Sequence, residues 1–137
     1  MELRIATEAD LPQLAVWNRE LIEDEGSDNP MTVGQLELRL RGWLTGDYQA
    51  AIFEERGAAV GYALFRPDEA GVYLRQFFVA RAQRRRGVGR SAIALFLERL
   101  VPPGASLALD VLVRNERAKA FWRAVGLREH AIGFRLP

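Results

Sequence analysis

The chain has 137 residues, 49% of them apolar, and a formal net charge of +1. It is long enough for one buried core and carries no global field that would draw it to nucleic acid. It has no cysteine and one histidine, His130, which excludes disulfides, thiolate chemistry and Cys/His metal clusters. Met1-Glu2-Leu3-Arg4-Ile5 is not a signal peptide, and no apolar run approaches the ~20 residues that span a bilayer. The expectation is one domain over residues 1–137, cytoplasmic, with no metal, nucleic acid or membrane partner.

Leu3 to Ala6 reads as a short strand. Thr7 can cap a helix whose first turn carries Glu8 and Asp10, acids suited to the positive end of the helix dipole. Leu11, Leu14, Ala15, Leu21 and Ile22 give it an apolar stripe, and Glu23-Asp24-Glu25-Gly26-Ser27-Asp28-Asn29-Pro30 ends it in an acidic loop. Thr32 and Gln35 form a capping box for a second helix reaching about Leu44, with Leu36, Leu40, Trp43 and Leu44 inward. Trp17 and Trp43 are expected in the helical layer. Three strands follow, Tyr48–Glu55, Ala58–Arg66 and Val72–Val79, joined by tight turns and therefore antiparallel neighbours. Gly87 to Leu100 reads as a helix, Leu107 to Val113 as an apolar strand interrupted by Asp110, and Asn115 as the cap of a last helix closed by Gly126. Glu129 to Leu136 is a weak final strand, whose edge a second copy could pair with to make a homodimer. The order is β-α-α-β-β-β-α-β-α-β, a mixed α/β fold.

Between Ala70 and Leu97 there is no acidic residue, but there are six arginines: Arg75, Arg81, Arg84, Arg85, Arg86 and Arg90. They surround a strand-to-helix turn with two glycines, Gly87 and Gly89. A helix N-terminus offers unpaired backbone N–H groups and partial positive charge, glycine lets phosphate oxygens approach the backbone, and arginine adds forked donors. This combination describes a pyrophosphate cradle. Two other readings stay open on the loop alone. Arginine runs are often solvated faces, and Gly87-Val88-Gly89-Arg90-Ser91-Ala92 also fits a dinucleotide fingerprint, with Asp110 about twenty residues on. That fingerprint normally follows the first strand of a βαβ unit, whereas here three tightly connected strands precede it. A Walker loop is excluded because no Gly-Lys-Ser/Thr follows, and the patch lacks the breadth of a nucleic-acid face.

Arg84-Arg85-Arg86-Gly87-Val88-Gly89 is similar to the Gln/Arg-x-x-Gly-x-Gly/Ala signature of the GNAT superfamily of acetyl-CoA-dependent N-acetyltransferases. The block from Asn115 to Leu127, with Ala118, Phe121, Trp122 and Gly126, resembles the family's second motif. The element order is also the family's. The resemblance covers essentially the whole chain and is weakest over the first seventy residues.

The resemblance implies a central, mostly antiparallel sheet whose middle strands, Val72–Val79 and Leu107–Val113, splay apart. Acetyl-CoA would be the co-substrate and an amine the acceptor. The pantetheine arm would lie in the gap against the backbone of Phe77, Phe78 and Val79. The pyrophosphate would rest on Arg84, Arg85, Arg86, Gly87, Val88, Gly89, Arg90 and Ser91. Asn115, Ala118, Phe121 and Trp122 would line the other side. A backbone N–H near Val79 would stabilise the oxyanion.

The family often carries a tyrosine where Trp122 stands, and indole is not a practical acid. Either another group such as Tyr73 or solvent then protonates the leaving thiolate. Glu23 and Asp24, within the acidic cluster Glu20, Glu23, Asp24, Glu25 and Asp28, are candidates for receiving the amine proton. A non-catalytic acyl-CoA-binding module on the same fold is the alternative.

Overall fold

β1 (Glu2–Ile5), β2 (Gln49–Glu55), β3 (Ala58–Pro67), β4 (Gly71–Val79) and β5 (Ser106–Ala108) form one sheet in chain order. The structure is a computed structural model that describes residues 1–137. The first four strands are antiparallel neighbours, and β5 joins β4 in parallel. Helices α1 (Leu11–Asp24) and α2 (Val33–Leu44) cover one face. α3 (Val88–Leu100) and α4 (Glu116–Ala124) lie on the other.

Alternation along the strands sorts their side chains to two cores. Ala50, Ile52, Tyr62, Leu64 and Phe78 pack with Leu14, Ile22, Leu36 and Leu40 on the α1/α2 side. Ala51, Phe53, Ala63, Phe65, Val72 and Leu74 pack with Val88, Ile93 and Phe96 on the α3 side. Trp17 stacks on Tyr62 with ring centroids 6.0 Å apart, and Trp43 is half-buried beside Tyr48. The capping box of α2 forms as the sequence predicts: Gln35 N–H donates to Thr32 Oγ1 and Thr32 N–H to Gln35 Oε1. Thr7 caps a 3-10 turn, Glu8–Asp10, that leads into α1.

Two irregularities shape β3 and β4. Leu64 pairs with Gln76 but Phe65 with Leu74, so Arg75 is one residue extra. Such a bulge puts two consecutive side chains on one face. Arg75 and Gln76 therefore both face α1 and α2, while Leu74 and Phe77 face α3 and α4. At the end of the pair, Gly61 passes the β4 backbone so closely that a Cβ there would lie 2.2 Å from the Phe78 carbonyl oxygen.

The last part of the chain departs from the predicted order. Hydrogen-bonded pairing of β5 ends at Ala108 rather than at Val113. Residues 129–136 form no strand, and Ile132, Phe134 and Leu136 are exposed. The two differences share a cause. Beyond Ala108 the chain leaves β4, so only a three-residue template exists for a further strand, and Gly133 interrupts the apolar alternation of the tail.

Candidate functional site

The divergence of β5 opens the site. β4 is bonded to β5 only through Gly71, Val72 and Tyr73, and from there to Val79 it is bonded to β3 alone. Ala80 N–H donates to Val60 on β3 at 2.8 Å. Successive residues of a strand alternate their bonding direction, so the N–H groups of Val79 and Phe77 point the other way, into the gap. The Val79 carbonyl faces the same side and accepts from Arg84 Nε at 2.9 Å. A cavity of about 90 Å³ occupies the gap, walled by Leu74, Arg75, Gln76 and Phe77 on one side and by Leu109, Asp110, Asn115, Ala118 and Trp122 on the other.

Phe77, Phe121 and Trp122 form one aromatic group here, with centroids 4.9 to 5.9 Å apart. Asn115 Oδ1 accepts from Ala118 N–H and fixes the start of α4. Its amide NH₂ is then free to donate. Phe78 instead points its side chain into the α1/α2 core and its backbone groups towards β3, so of the three expected strand residues it alone does not face the gap.

At the foot of the gap the chain turns from β4 into α3. Arg85 and Gly87 both take positive φ, 64° and 76°. Gly87 is the N-cap of α3 and supplies no side-chain acceptor. The first intrahelical bond runs from Ser91 N–H to the Gly87 carbonyl. The N–H groups of Val88, Gly89 and Arg90 thus remain open at the positive end of a 13-residue helix, a site suited to anionic oxygens.

The two glycines have different reasons. Gly87 needs its left-handed conformation and faces open space. A Cβ on Gly89 would lie 3.1 Å from the Phe121 ring, so Gly89 lets α4 approach α3. Arg85, Arg86 and Arg90 are exposed and have no carboxylate partner. Arg84 is turned inward, bonding Asp24 at 2.6 Å and lying over Phe78.

The acidic cluster at the end of α1 is mostly neutralised. Arg81 holds Glu20, Glu23 and Asp24, and Arg84 holds Asp24 as well. Neither Glu23 nor Asp24 reaches the wall of the cavity. Glu25 does, and it has no ion-pair partner. Burial, then the neighbouring Asp24 charge, raises its carboxyl above the usual range. Tyr73 donates to Asp110 at 2.8 Å. Burial first, and the Asp110 bond second, push its phenol up to about 12.

Gln76 Oε1 accepts from the buried Tyr62 hydroxyl at 2.7 Å, which turns its NH₂ away from Tyr62. Two residues near this face escaped the sequence reading, Asn18 and Arg39. Their signal was present: Asn18 sits on the apolar stripe of α1 between Leu14 and Ile22, and Arg39 precedes Trp43 by one helical turn.

The fold and family are shown by likeness to known proteins. The Acetyltransferase (GNAT) family profile matches residues 13–127. The mutant BH1408 protein from Bacillus halodurans is similar in structure, with 22% identity, a TM-score of 0.78, and 100% of this chain and 99% of that one covered. A ribosomal-protein-alanine N-acetyltransferase from Brucella melitensis shows 23% identity and a TM-score of 0.72, over 96% of this chain and 86% of its own. An aminoglycoside N-acetyltransferase, AAC(6')-Iy, solved in complex with CoA, shows 19% identity and a TM-score of 0.73, over 98% and 93%. No curated protein sequence matches significantly.

Proposed function

Because the chain belongs to the Acetyltransferase (GNAT) family, we propose that it is an acetyl-CoA-dependent N-acetyltransferase that acts by direct attack of an amine in a ternary complex. The observation that carries this is the joining of two open surfaces: the unpaired edge of β4 along the gap, and the uncapped N-terminus of α3 at its foot. One offers a strand-like partner to an amide-bearing arm, the other an anion site. The neighbours' acceptors, an aminoglycoside and a ribosomal-protein alanine by name, are both amines. Acetyl-CoA would supply the activated acetyl thioester. A dinucleotide reading loses its footing because the glycine turn follows the fourth strand of an antiparallel run.

Each residue then has a task. The N–H groups of Val88, Gly89 and Arg90, with the Ser91 hydroxyl and the Arg85, Arg86 and Arg90 guanidiniums, hold the pyrophosphate. Phe77 and Val79 present backbone N–H groups to the pantetheine arm, and Val79 N–H polarises the thioester carbonyl. Phe121, Trp122, Ala118 and Asn115 close the opposite wall.

Glu25 takes the amine proton, directly or through a water, in place of Glu23 and Asp24, whose carboxylates are occupied by arginine. Tyr73 is a poor acid for the leaving thiolate. Its hydroxyl is already donated to Asp110, and burial and that bond raise the phenol to about 12, above an ordinary thiol. The thiolate therefore leaves without a protein acid and is protonated by solvent.

Calorimetry with acetyl-CoA tests the binding half. The triple change Arg85→Glu, Arg86→Glu and Arg90→Glu should weaken CoA at least tenfold and leave pantetheine unchanged; equal losses for both count against the cradle. Amine-stimulated release of CoA tests the transfer half. Trp122 in place of tyrosine favours one other reading, a non-catalytic acyl-CoA sensor. Tight binding with no release across an amine panel would select it.

A further inference from the structure

On the α1/α2 side of the cavity wall the protein gathers positive charge without neutralising it. Two guanidiniums lie over the Trp43 ring, Arg39 at 4.5 Å and Arg75 at 4.6 Å from its centroid. Tyr48 accepts from Arg75 and from Arg66, each at 3.3 Å. None of the three arginines has a carboxylate within ion-pair distance, although every acid of the nearby cluster except Glu25 and Asp28 is paired. Like charges brought together and partly desolvated are costly. Burial, and then the charge of Arg75, lower the Arg39 pKa accordingly.

Two donors at this place also have nothing to bond. Arg39 Nε is buried and unpartnered. Asn18 is fully buried, its Oδ1 accepts from Arg39 Nη2 at 3.4 Å, and its Nδ2 has no partner. Buried donors are almost always satisfied. An aromatic plate with two guanidiniums over it and two orphaned N–H donors make an incomplete anion site. The bulge in β4 connects it to the reaction. Arg75 and Gln76 share a face and both line the cavity that Glu25 also lines. Tyr62 donates to Gln76 Oε1 and ties this face to the α1/α2 core.

We propose that the acceptor is a small zwitterion, an amino acid or close derivative, whose carboxylate is held by Arg75 and Arg39 while its amine faces Glu25 in the gap between β4 and β5. The assignment rests on the acetyltransferase reading for its chemistry. The planar guanidinium fork matches a carboxylate. Fixed charges of opposite sign at the two ends also set the direction of binding, so that the amine end, not the carboxylate, reaches the thioester.

The test uses a matched set: amino acids, their amides, the corresponding decarboxylated amines and aminoalkyl phosphates, with the purified protein and acetyl-CoA. The free amino acids should show a kcat/KM at least tenfold above their amides and amines. Arg75→Gln, an exposed change that leaves the cores intact, should raise KM for the amino acid about tenfold, with little change for the decarboxylated amine or for CoA binding. Arg39→Met should do the same. Binding of an N-acetylated amino acid in the presence of CoA, followed by calorimetry, gives a readout independent of turnover. Equal use of amides and acids, or a preference for the phosphate series, overturns the assignment while leaving the transferase intact. Loss of CoA binding or of transfer to every amine would instead remove the function on which it rests.

Discussion

The difference between Glu25 and its neighbours is a difference of company. Glu23 and Asp24 lie in the field of Arg81 and Arg84, whereas Glu25 turns into the cavity and meets no cation. A carboxyl raised by burial is charged only above its raised value, so a rate that needs it as a base rises with pH through that value and stays up beyond it. Glu25→Gln should lower kcat by about 10²- to 10⁴-fold, abolish that acidic limb and leave the CoA affinity unchanged. A pH–rate profile beside calorimetry reads all three, and an unaltered acidic limb would move the base elsewhere. Gly61 is limiting in another way. Gly61→Ala drives a methyl into the Phe78 carbonyl and should cost about 1–3 kcal/mol in a denaturant titration, through displacement of β4 rather than loss of any contact.

At the level of elements, what was readable from sequence was local. The α2 cap at Thr32 and Gln35, the Gly87 turn and the Asn115 cap are decided by neighbours within four residues, and each forms where the sequence places it. What could not be read depends on partners distant in sequence. The end of β5 is set by where β4 stops pairing with it, and the missing final strand follows from that. The occupation of Asp24 by Arg84 joins residues sixty apart, and the bulge at Arg75 exists only in the register with Leu64 and Phe65. Helix α3 allows a sharp test of its open end. Gly87→Val places a branched residue at a φ of 76°, which costs at least about 1–2 kcal/mol. It should lower both the thermal midpoint and the CoA affinity, whereas Gly87→Asn, which tolerates that conformation, should restore much of each.

Across the whole molecule, stability in acid should be set by how the edge strand is fastened. Arg4 on β1 donates two bonds of 2.9 Å to Asp10 and one of 3.2 Å to Glu54, and Asp10 also accepts from Thr7 N–H. The Arg4 bond, more than the others, holds the Asp10 carboxyl below the usual range. A depressed carboxyl stabilises the fold above its unfolded value, near pH 4, and that contribution disappears as pH falls through the folded value. Asp10→Asn should therefore lower the melting midpoint at pH 7 and converge with the parent protein toward pH 2; a constant difference across that range would assign the effect to packing. The bulge in β4 has a consequence of a different kind. It divides one strand into two addresses, with Arg75 and Gln76 on the side we propose for the acceptor, and Phe77 with the Val79 edge on the side we propose for the cofactor. Changes of substrate can then accumulate at the first address without disturbing the second. A library confined to Asn18, Arg39, Arg75 and Gln76 should yield variants with new acceptors and the same affinity for CoA, and deletion of Arg75, which removes the extra residue and leaves Leu74 and Gln76 alternating against Phe65 and Leu64, should cost the acceptor while sparing CoA.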